Sequence, residues 1–262
     1  MPVYQLDKIT PWDPTLMVDV VIPVLNEAHV LARSVATVRQ FLAESLPCRW
    51  RVIVVDNGST DGTDRVAREL ENQFDDVRLV QLPMRGRGRA LRQAWSQSDA
   101  DVMCYTDVDL STELAALPKM VQAVVSDGFD VATGSRLLPQ SRTTRSPKRE
   151  FISRCYNLFV KAVLWTSFSD AQCGFKAISR HAMAELVPEV KDQSWFFDTE
   201  LLVLAEKRGM RIADIPVTWI EDDDSRVKIV KTAWDDIKGV VRLRLKLWRE
   251  AFSPRAAPAR AL

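Results

Sequence analysis

Two aspartates separated by one residue form the acid pair in this sequence best suited to bind a metal ion. Asp107 and Asp109 follow the apolar run VMCY, a pattern typical of the end of a buried strand. Carboxylates at this spacing can share a hard divalent cation such as Mg²⁺ or Mn²⁺, and such an ion neutralises the charge of a diphosphate. Asp-x-Asp is also common by chance, so the pair taken alone can equally be an ordinary surface turn without a metal ion.

Another acid, Asp56, follows the apolar run RVIVV and precedes the turn-rich segment NGSTDG at 57–62. An aspartate at this point can accept hydrogen bonds from a nucleobase or from ribose hydroxyls. The alternative is a capped helix start, which would explain Ser59, Thr60 and Asp61. Both interpretations hold together, since capping does not use Asp56.

The segment RGRGR at 85–89 combines positive charge with glycines that let the backbone approach a ligand closely. This combination suits phosphate groups. It is not a dinucleotide-binding fingerprint, because Leu91 stands where the third glycine of that motif would be.

The elements that must position these residues alternate between apolar runs and segments with helical spacing. The predicted strands span residues 18–22, 51–55, 77–82, 101–105, 130–134, 174–178 and 211–219, and the predicted helices span 27–44, 64–72, 89–97, 150–165, 199–208 and 229–252. The alternation predicts an α/β fold with a Rossmann-like, mostly parallel sheet flanked by helices. Ligands bind at the carboxyl ends of such strands, so Glu27, Asp56 and Asp107 are expected at one edge.

Composition restricts the class of protein. Among 262 residues, 47% are hydrophobic and 27% are charged, which is typical of a globular chain, and the net charge of +1 argues against a nucleic-acid binder. Four scattered cysteines predict a reduced, cytosolic setting. The first residues show no signal-peptide pattern, and no apolar run approaches the roughly 20 residues that span a bilayer.

The domain organisation follows from these patterns. We expect an N-terminal extension over 1–16, a catalytic domain over 17–228, an amphipathic basic helix over 229–252 and a disordered tail over 253–262. The polar, proline-broken segment 135–148 is expected to be a mobile loop. In the last helix the apolar positions do not form one clean stripe, so lipid contact, a dimer or core face, and a solvated basic helix all stay open.

Several motifs, in order and spacing, resemble the family-2 glycosyltransferases. They are PVLNE at 23–27, VVDNGSTDGT at 54–63, GRGRAL at 86–91 and DVDLST at 107–112. Later motifs resemble the dolichyl- and polyprenyl-phosphate hexosyltransferases: GSR at 134–136, Arg149 with Ser153 and Asn157, DAQCGFK at 170–176, FDTEL at 197–201 and SRV at 225–227. The resemblance covers roughly residues 19–244 and implies a GT-A fold.

The resemblance also implies roles for individual residues. Donor contacts fall on Pro23, Asn26, Glu27, Asp56, Arg87, Arg89, Ala90 and Asp107. Catalytic positions are Asp107, Asp109, Arg136, Asp170, Gln172 and Asp198, with Mg²⁺ or Mn²⁺ held by Asp107, Asp109 and Gln172. The acceptor phosphate and its loop fall on Arg149, Ser153, Asn157, Ser225, Arg226 and Lys228. Asn57, where many members carry Asp, and Ser111, where mannosyl enzymes often carry Gln, depart from the pattern and put a nucleotide contact and a metal ligand in doubt.

The implied reaction is an inverting transfer of a hexose from a nucleotide sugar to a polyprenyl or dolichyl phosphate. A phosphate monoester is already a competent nucleophile at neutral pH, so it needs positioning more than deprotonation. UDP-glucose is favoured as donor and GDP-mannose comes next. If the acceptor were instead a hydroxyl, Asp170 or Asp198 could serve as the base. The alternative for Asp198 and Glu200 is a salt-bridged helix start, and for Glu200 this interpretation is favoured.

Other functions stay open. A hydroxyl acceptor, a sugar nucleotidyltransferase and a non-catalytic scaffold of the same fold are alternatives, although the nucleotidyltransferase would need a glycine-rich loop where PVLNE stands. The expected partners are a nucleotide sugar, a polyprenyl phosphate lipid and a membrane surface, with a homodimer or a separate anchor protein open. The expected location is the cytoplasmic, inner face of a membrane, as a peripheral protein.

Overall fold

Strands and helices alternate through residues 12–221 and 229–252, which are the residues that the computed structural model describes. The strands are β1 (Met17–Val24), β2 (Arg49–Asp56), β3 (Val77–Gln81), β4 (Val102–Thr106), β5 (Val131–Ser135), β6 (Arg142–Thr144), β7 (Phe175–Ser179), β8 (Ile212–Pro216) and β9 (Thr218–Ile220). The helices are α1 (Ala28–Ser45), α2 (Thr63–Gln73), α3 (Arg87–Gln97), α4 (Leu117–Val125), α5 (Pro147–Leu164), α6 (Arg180–Leu186), α7 (Phe197–Lys207) and α8 (Ile229–Phe252).

A seven-stranded sheet lies at the centre, in the order β3-β2-β1-β4-β7-β5-β8. All neighbouring strands in it are parallel except β7, which runs antiparallel to both β4 and β5. The predicted mostly parallel α/β sheet is therefore confirmed. Because β7 is reversed, the loop that precedes it lies at the same edge as the carboxyl ends of β1, β2 and β4.

Helices cover both faces of this sheet. Successive side chains of a strand point to opposite faces, so Val20 and Ile22 of β1 pack on one side and Val21 on the other. The first side holds α1, α2 and α4. The second holds α3, α5, α6, α7 and α8. Trp12, from the predicted N-terminal extension, is buried against the first layer.

The predicted strand 211–219 is in fact two strands in different sheets. Pro216 ends β8, and Val217 separates it from β9, which pairs with β6 in a second, two-stranded parallel sheet. Proline lacks the backbone N–H that would continue the ladder. The chain therefore turns out of the large sheet at this point.

The expected mobile loop at 135–148 was wrong over part of its length. Residues 142–144 form β6 against β9, and α5 already begins at Pro147. Proline is favourable in the first turn of a helix, where its missing N–H has no intrahelical partner to lose. Sequence patterns also missed the helices α4 and α6, whereas the other predicted helices and strands are confirmed to within three residues at each end.

The last helix, α8, packs on the second layer through one face. Val240 and Leu243 are fully buried there, and Asp236 is 3% exposed. No helix of the described segments combines the length and the apolar character that crossing a membrane requires.

Candidate active site

The carboxyl ends of β1, β2 and β4 meet at one edge of the sheet. The register pairs Val24 of β1 with Asp56 of β2, and β4 lies on the other side of β1. Asn26, Asp56 and Asp107 therefore follow neighbouring strands at the same edge, as the strand-end rule predicts.

Turn hydrogen bonds fix the first part of this edge. Asn26 has a positive φ of 59°, and its Oδ1 accepts the backbone N–H of Thr60 at 2.8 Å while its own N–H donates to Ser59 Oγ at 2.9 Å. The buried carboxylate of Asp56 accepts the N–H of Ser59 at 3.1 Å. The loop after β1 and the loop after β2 thus hold each other in place.

The start of α1 is bound to the same turn. The backbone N–H of Glu27 donates to Thr63 Oγ1 at 2.8 Å, and that of Ala28 donates to Asp61 Oδ2 at 3.1 Å. Pro23 is half-buried on β1 beside these residues. This edge of the sheet is therefore built from backbone groups and short polar side chains, which can form hydrogen bonds to a ligand.

Asp107 and Asp109 come directly after β4 and remain accessible. The Asp107 side chain is 40% exposed and lies 2.8 Å from Arg87, and Asp109 Oδ1 accepts the N–H of Ser111 at 2.9 Å. Partial burial raises the pKa of the Asp107 carboxyl to about 6, against the lowering effect of the Arg87 guanidinium, and Asp109 adds to the increase.

This pair fits a divalent metal ion that is shared with a ligand. Within the described residues, no group of three or more acidic, histidine or cysteine side chains is arranged to hold a metal ion. Mg²⁺ in particular is commonly bound by one or two carboxylates together with phosphate oxygens of the substrate. Two accessible carboxylates that already concentrate negative charge match that type of site.

Arg87, at the start of α3, is enclosed beside the carboxylates. Its guanidinium carbon lies 5.1 Å from the ring centre of Tyr105 and 4.9 Å from that of Trp195, and the side chain is 10% exposed. Burial lowers the pKa of Arg87, but the charges of Asp107 and Asp198 outweigh it and hold the pKa above its ordinary value. Arg87 is therefore a fixed positive charge next to the acid pair.

Gly174 allows this close packing. A Cβ atom at this position would lie 2.0 Å from Asp107 Oδ2 and 2.6 Å from Arg87 Nη2. Only glycine leaves room for the carboxylate and the guanidinium to meet against the backbone here.

Asp198 lies beneath the surface at this edge of the sheet. It is 2% exposed, accepts the hydroxyl hydrogen of Tyr105, and lies 3.3 Å from the ammonium of Lys176. Sequence analysis missed Tyr105 and Lys176 as part of this network. The detectable signal was a lysine inside the buried strand β7, because a fully buried lysine needs a charged partner.

A second buried ion pair lies at the end of β5. Arg136 Nε and Nη2 donate to Asp170 Oδ2 and Oδ1 at 2.7 and 2.9 Å, and the backbone N–H of Arg136 donates to the same carboxylate. Although burial alone would raise it, the charge of Arg136 lowers the pKa of Asp170 to about 2. Asn157 of α5 accepts the N–H of Ala171 at 2.8 Å, and its amide donates to the carbonyl of Ser153. Asn157 thus holds the loop before β7.

Three further arginines around α5 are paired with acids. Arg149 lies 2.5 Å from Glu221, and Arg154 lies 2.5 Å from Glu150, which also binds Arg145. Much of the positive charge expected from the sequence is therefore balanced by two glutamates, one on α5 itself and one far along the chain.

Some expected site residues are buried, have other partners or lie outside the described residues. Ala90 is fully buried in the core, so its side chain cannot contact a donor, and Arg89 donates to the carbonyl of Arg85. Gln172, expected as a metal ligand, donates its amide N–H to Asp236 of α8 at 2.6 Å. The positions Ser225, Arg226 and Lys228 lie outside the described residues.

Glu200 has the structural role that was weighed for it. It is fully buried and accepts hydrogen bonds of 2.8 Å from both terminal guanidinium nitrogens of Arg242. It also accepts hydrogen bonds from the backbone N–H groups of Lys191 and Asp192.

Comparisons with known proteins agree with this geometry. Residues 19–187 match the family described as glycosyl transferase family 2. The chain is 38% identical over 233 residues to glycosyltransferase AglD of Haloferax volcanii. The aligned region covers 88% of this chain but only 37% of the length of that relative. It is 30% identical over 242 residues to dolichyl-phosphate beta-glucosyltransferase ALG5C of Trichomonas vaginalis, covering 87% of this chain and 72% of the relative.

A solved structure has the same fold. Glucosyl-3-phosphoglycerate synthase from Mycobacterium tuberculosis, in complex with Mn²⁺, uridine diphosphate and glucosyl-3-phosphoglycerate, superposes with a TM-score of 0.66 at 19% identity. The superposition covers 94% of this chain and 87% of that one. The expected GT-A architecture is thereby confirmed.

Proposed function

The chain belongs to glycosyl transferase family 2, and we propose that it transfers glucose from UDP-glucose to a polyprenyl or dolichyl phosphate with inversion at the anomeric carbon. The observation that carries the proposal is the state of the two buried acids. Asp170 and Asp198 are both engaged in charge pairs, so neither is available to deprotonate an acceptor hydroxyl. A lipid phosphate needs no such base.

The donor lies at the edge of the sheet where β1 and β2 end. The Asp56 side chain and the half-buried Pro23, Asn26 and Glu27 surround the base and ribose. Arg87 lies at the diphosphate end, where its fixed charge faces Asp107. The name of the relative from Trichomonas vaginalis supports glucose as the sugar, and the uridine diphosphate in the synthase complex supports the nucleotide.

Asp107 and Asp109 hold a divalent cation, Mg²⁺ or Mn²⁺, when donor is bound. Such an ion supplies positive charge to the diphosphate as it leaves. The chain's own contribution is to hold both carboxylates at the end of β4, Asp107 against Gly174 and Arg87, before substrate arrives. The Mn²⁺ in the synthase complex supports this assignment.

The chemical step forms one bond and breaks one. An oxygen of the acceptor phosphate attacks the anomeric carbon, and the bond from that carbon to the β-phosphate oxygen of the nucleotide breaks, with its electron pair leaving on the nucleoside diphosphate. The second pKa of a phosphate monoester is about 6, so the attacking oxygen is already ionised at neutral pH. Arg136, which Asp170 holds in place, is the arginine that we assign to orienting the phosphate.

The remaining assignments follow from an acceptor carried by a lipid. Arg149 and Ser153 lie at the start of α5 on the acceptor side, and Ser225, Arg226 and Lys228 belong to the same proposal from sequence alone. The catalytic domain spans 17–228, and the protein works as a peripheral protein at the cytoplasmic face of a membrane. Either it binds there directly or an anchor protein recruits it.

A donor panel tests the function. Radiolabelled UDP-glucose, GDP-mannose and other UDP-hexoses are incubated with a short polyprenyl phosphate, with Mg²⁺ or Mn²⁺ and with chelator. We expect metal-dependent transfer from UDP-glucose to the lipid. Transfer from GDP-mannose alone would overturn the donor assignment, and nucleotide-sugar binding without transfer to any acceptor would favour a non-catalytic scaffold.

A further inference from the structure

Arg87 shares a carboxylate with the cation that the site is proposed to bind. Its Nη2 atom lies 2.8 Å from Asp107 Oδ1. The other oxygen, Oδ2, packs against the backbone of Gly174, where an added Cβ would lie 2.0 Å from it. The neighbouring acid Asp109 uses its Oδ1 to accept the N–H of Ser111. A metal ion that binds the two aspartates therefore meets a carboxylate that already has a positively charged partner.

The guanidinium of Arg87 has hydrogen-bond donors that the described residues do not use. The side chain is 10% exposed, and its Nε and Nη2 atoms are buried without a hydrogen-bond acceptor among those residues. The contact of Nη2 with Asp107 is therefore an ion pair that lacks hydrogen-bond geometry. Buried donors without an acceptor are unfavourable, and a ligand with oxygen acceptors would satisfy them.

Aromatic rings and a second acid hold this guanidinium in place. Its carbon atom lies 5.1 Å from the ring centre of Tyr105 and 4.9 Å from that of Trp195. Its Nη1 atom lies 3.7 Å from the buried carboxylate of Asp198, which is also paired with the ammonium of Lys176 at 3.3 Å. Because Asp198 has two cationic partners, it balances only part of the charge of Arg87. The rest of that charge acts on the acid pair at the end of β4.

Two backbone N–H groups at the start of α3 are already used. The N–H of Gly88 donates to the carbonyl of Ser194 at 3.2 Å, and that of Arg89 donates to the carbonyl of Gln193 at 3.1 Å. The glycine-rich segment at this point is expected from its sequence to meet phosphate groups through its backbone and its positive charge. Since these two N–H groups are occupied, the side chain of Arg87, next to the acid pair, is the group best placed to meet a phosphate.

Charge determines how Arg87 affects each ligand. A divalent cation bound to Asp107 and Asp109 would lie close to the guanidinium, and like charges at such short range repel each other in a partly buried site. A diphosphate instead brings negative charge and oxygen acceptors, to which Nε and Nη2 can donate charge-assisted hydrogen bonds. Once these bonds form, the charge of Arg87 is balanced by phosphate and no longer opposes the metal ion.

We propose that Arg87 makes binding of the divalent cation depend on the nucleoside diphosphate. Without the diphosphate, the guanidinium binds Asp107 and weakens the affinity of the acid pair for metal ions. With the diphosphate, the guanidinium donates to phosphate oxygens, and Asp107 can bind the cation. This inference rests on the proposed function, which takes both groups as ligands of this edge. Coupling between two ligands is reciprocal, so the cation increases the affinity for the nucleotide by the same factor.

Electron paramagnetic resonance of Mn²⁺ tests this coupling without any transfer reaction. The signal of free Mn²⁺ is followed as the full chain is added, with and without UDP, and is corrected for Mn²⁺ bound to UDP in solution. We expect UDP to tighten Mn²⁺ binding to wild type by at least about tenfold. Arg87→Gln should bind Mn²⁺ alone about tenfold more tightly than wild type, and the tightening by UDP should shrink by a similar factor. Arg85→Gln, which removes the same charge from an exposed side chain nearby, should bind Mn²⁺ as wild type does.

The sign of the change distinguishes this coupling from a structural role. If Arg87 only held Asp107 in place, its loss would weaken Mn²⁺ binding with and without UDP, and that result would overturn the inference. Arg87→Lys keeps a positive charge and covers the case in which Arg87→Gln does not fold, which thermal unfolding reports. It should bind Mn²⁺ alone as weakly as wild type, and tight binding by this variant would also contradict the inference. Wild type that binds neither Mn²⁺ nor UDP would overturn the proposed function, and the inference with it.

Discussion

The proposed donor side and the proposed acceptor side of this site are stabilised by different interactions. On the donor side, formed by the ends of β1, β2 and β4, backbone N–H groups and short polar side chains hold the loops, and Asp107 and Asp109 stay accessible. On the acceptor side, buried ion pairs such as Arg136 with Asp170 hold the loops. The contrast shows that a charged residue near a site can be either structural or available to a ligand. Whether it is bound to a buried partner distinguishes the two cases.

The largest expected effect concerns the accessible pair. Asp107→Asn removes charge where the leaving diphosphate is held, so transfer should fall by about 100-fold to 1000-fold, comparable to the loss of one group that stabilises the transition state. Because the substitution also removes a charge partner of the enclosed Arg87, transfer is compared per folded molecule. Transfer rate and unfolding temperature are measured together, with the exposed Asp75→Asn as matched control. Near wild-type transfer would remove Asp107 from the chemistry.

The acceptor side should respond in stability. Asp170→Asn leaves the guanidinium of Arg136 buried without its counter-charge, which costs about 3 to 5 kcal/mol when one partner of a buried pair is lost. The exposed Asp99→Asn, which also loses an arginine partner, should change the unfolding free energy little. Denaturant unfolding measures both. Equal small losses in the two variants would contradict the contrast between the sides.

Gly174→Ala tests the contact where the two sides meet. The added methyl would have to displace Asp107 or Arg87, so we expect transfer to fall by about 10-fold to 100-fold, since small misplacements at a site have effects of this size. Gly209→Ala is the control, because its φ of +77° makes alanine unfavourable but no atom lies within 4 Å of the added Cβ. It should lower stability without lowering transfer per folded molecule. Transfer that follows stability in both variants would mean that Gly174 has no specific role.

The smallest effect is a change in pH dependence. Burial raises the pKa of Asp214 on β8 from 3.8 to about 6, although Ser169 donates to its carboxylate. The folded state therefore holds this proton more tightly than the unfolded state, and stability from this group falls as pH rises from about 4 to about 6. Asp214→Asn cannot ionise, so its unfolding temperature relative to wild type should rise across this window. A constant difference would show that Asp214 keeps an ordinary pKa.

The donor side was more predictable from sequence than the acceptor side, for a physical reason. Parallel strands end at one edge, so locating β1, β2 and β4 also located Asp56 and Asp107. No comparable rule pairs Tyr105 with Asp198, which are 93 residues apart, or Gln172 with Asp236, which are 64 apart. Such contacts depend on how helices pack over the sheet.

Long-range packing also limited the predictions for α8 and for the arginines around α5. Both faces of α8 carry apolar residues, and only the packed structure separates buried Leu243 from exposed Leu245. The arginines around α5 suggested free positive charge, because Glu221, the partner of Arg149, lies 72 residues away and could not be assigned from position in the chain. Counting charges in a segment does not give the charge that a ligand meets.

In the proposed reaction, the acceptor is a phosphate that needs no base from the protein. The most direct measurement compares two acceptors that differ in one group, a short isoprenyl phosphate and the corresponding isoprenol, with the same labelled UDP-glucose. We expect transfer to the phosphate and none to the alcohol. The rate should increase as the acceptor phosphate ionises, when pH rises through about 6. Transfer to the alcohol at a comparable rate would contradict it, because a group in the site would then have to act as the base that the ion pairs of Asp170 and Asp198 exclude.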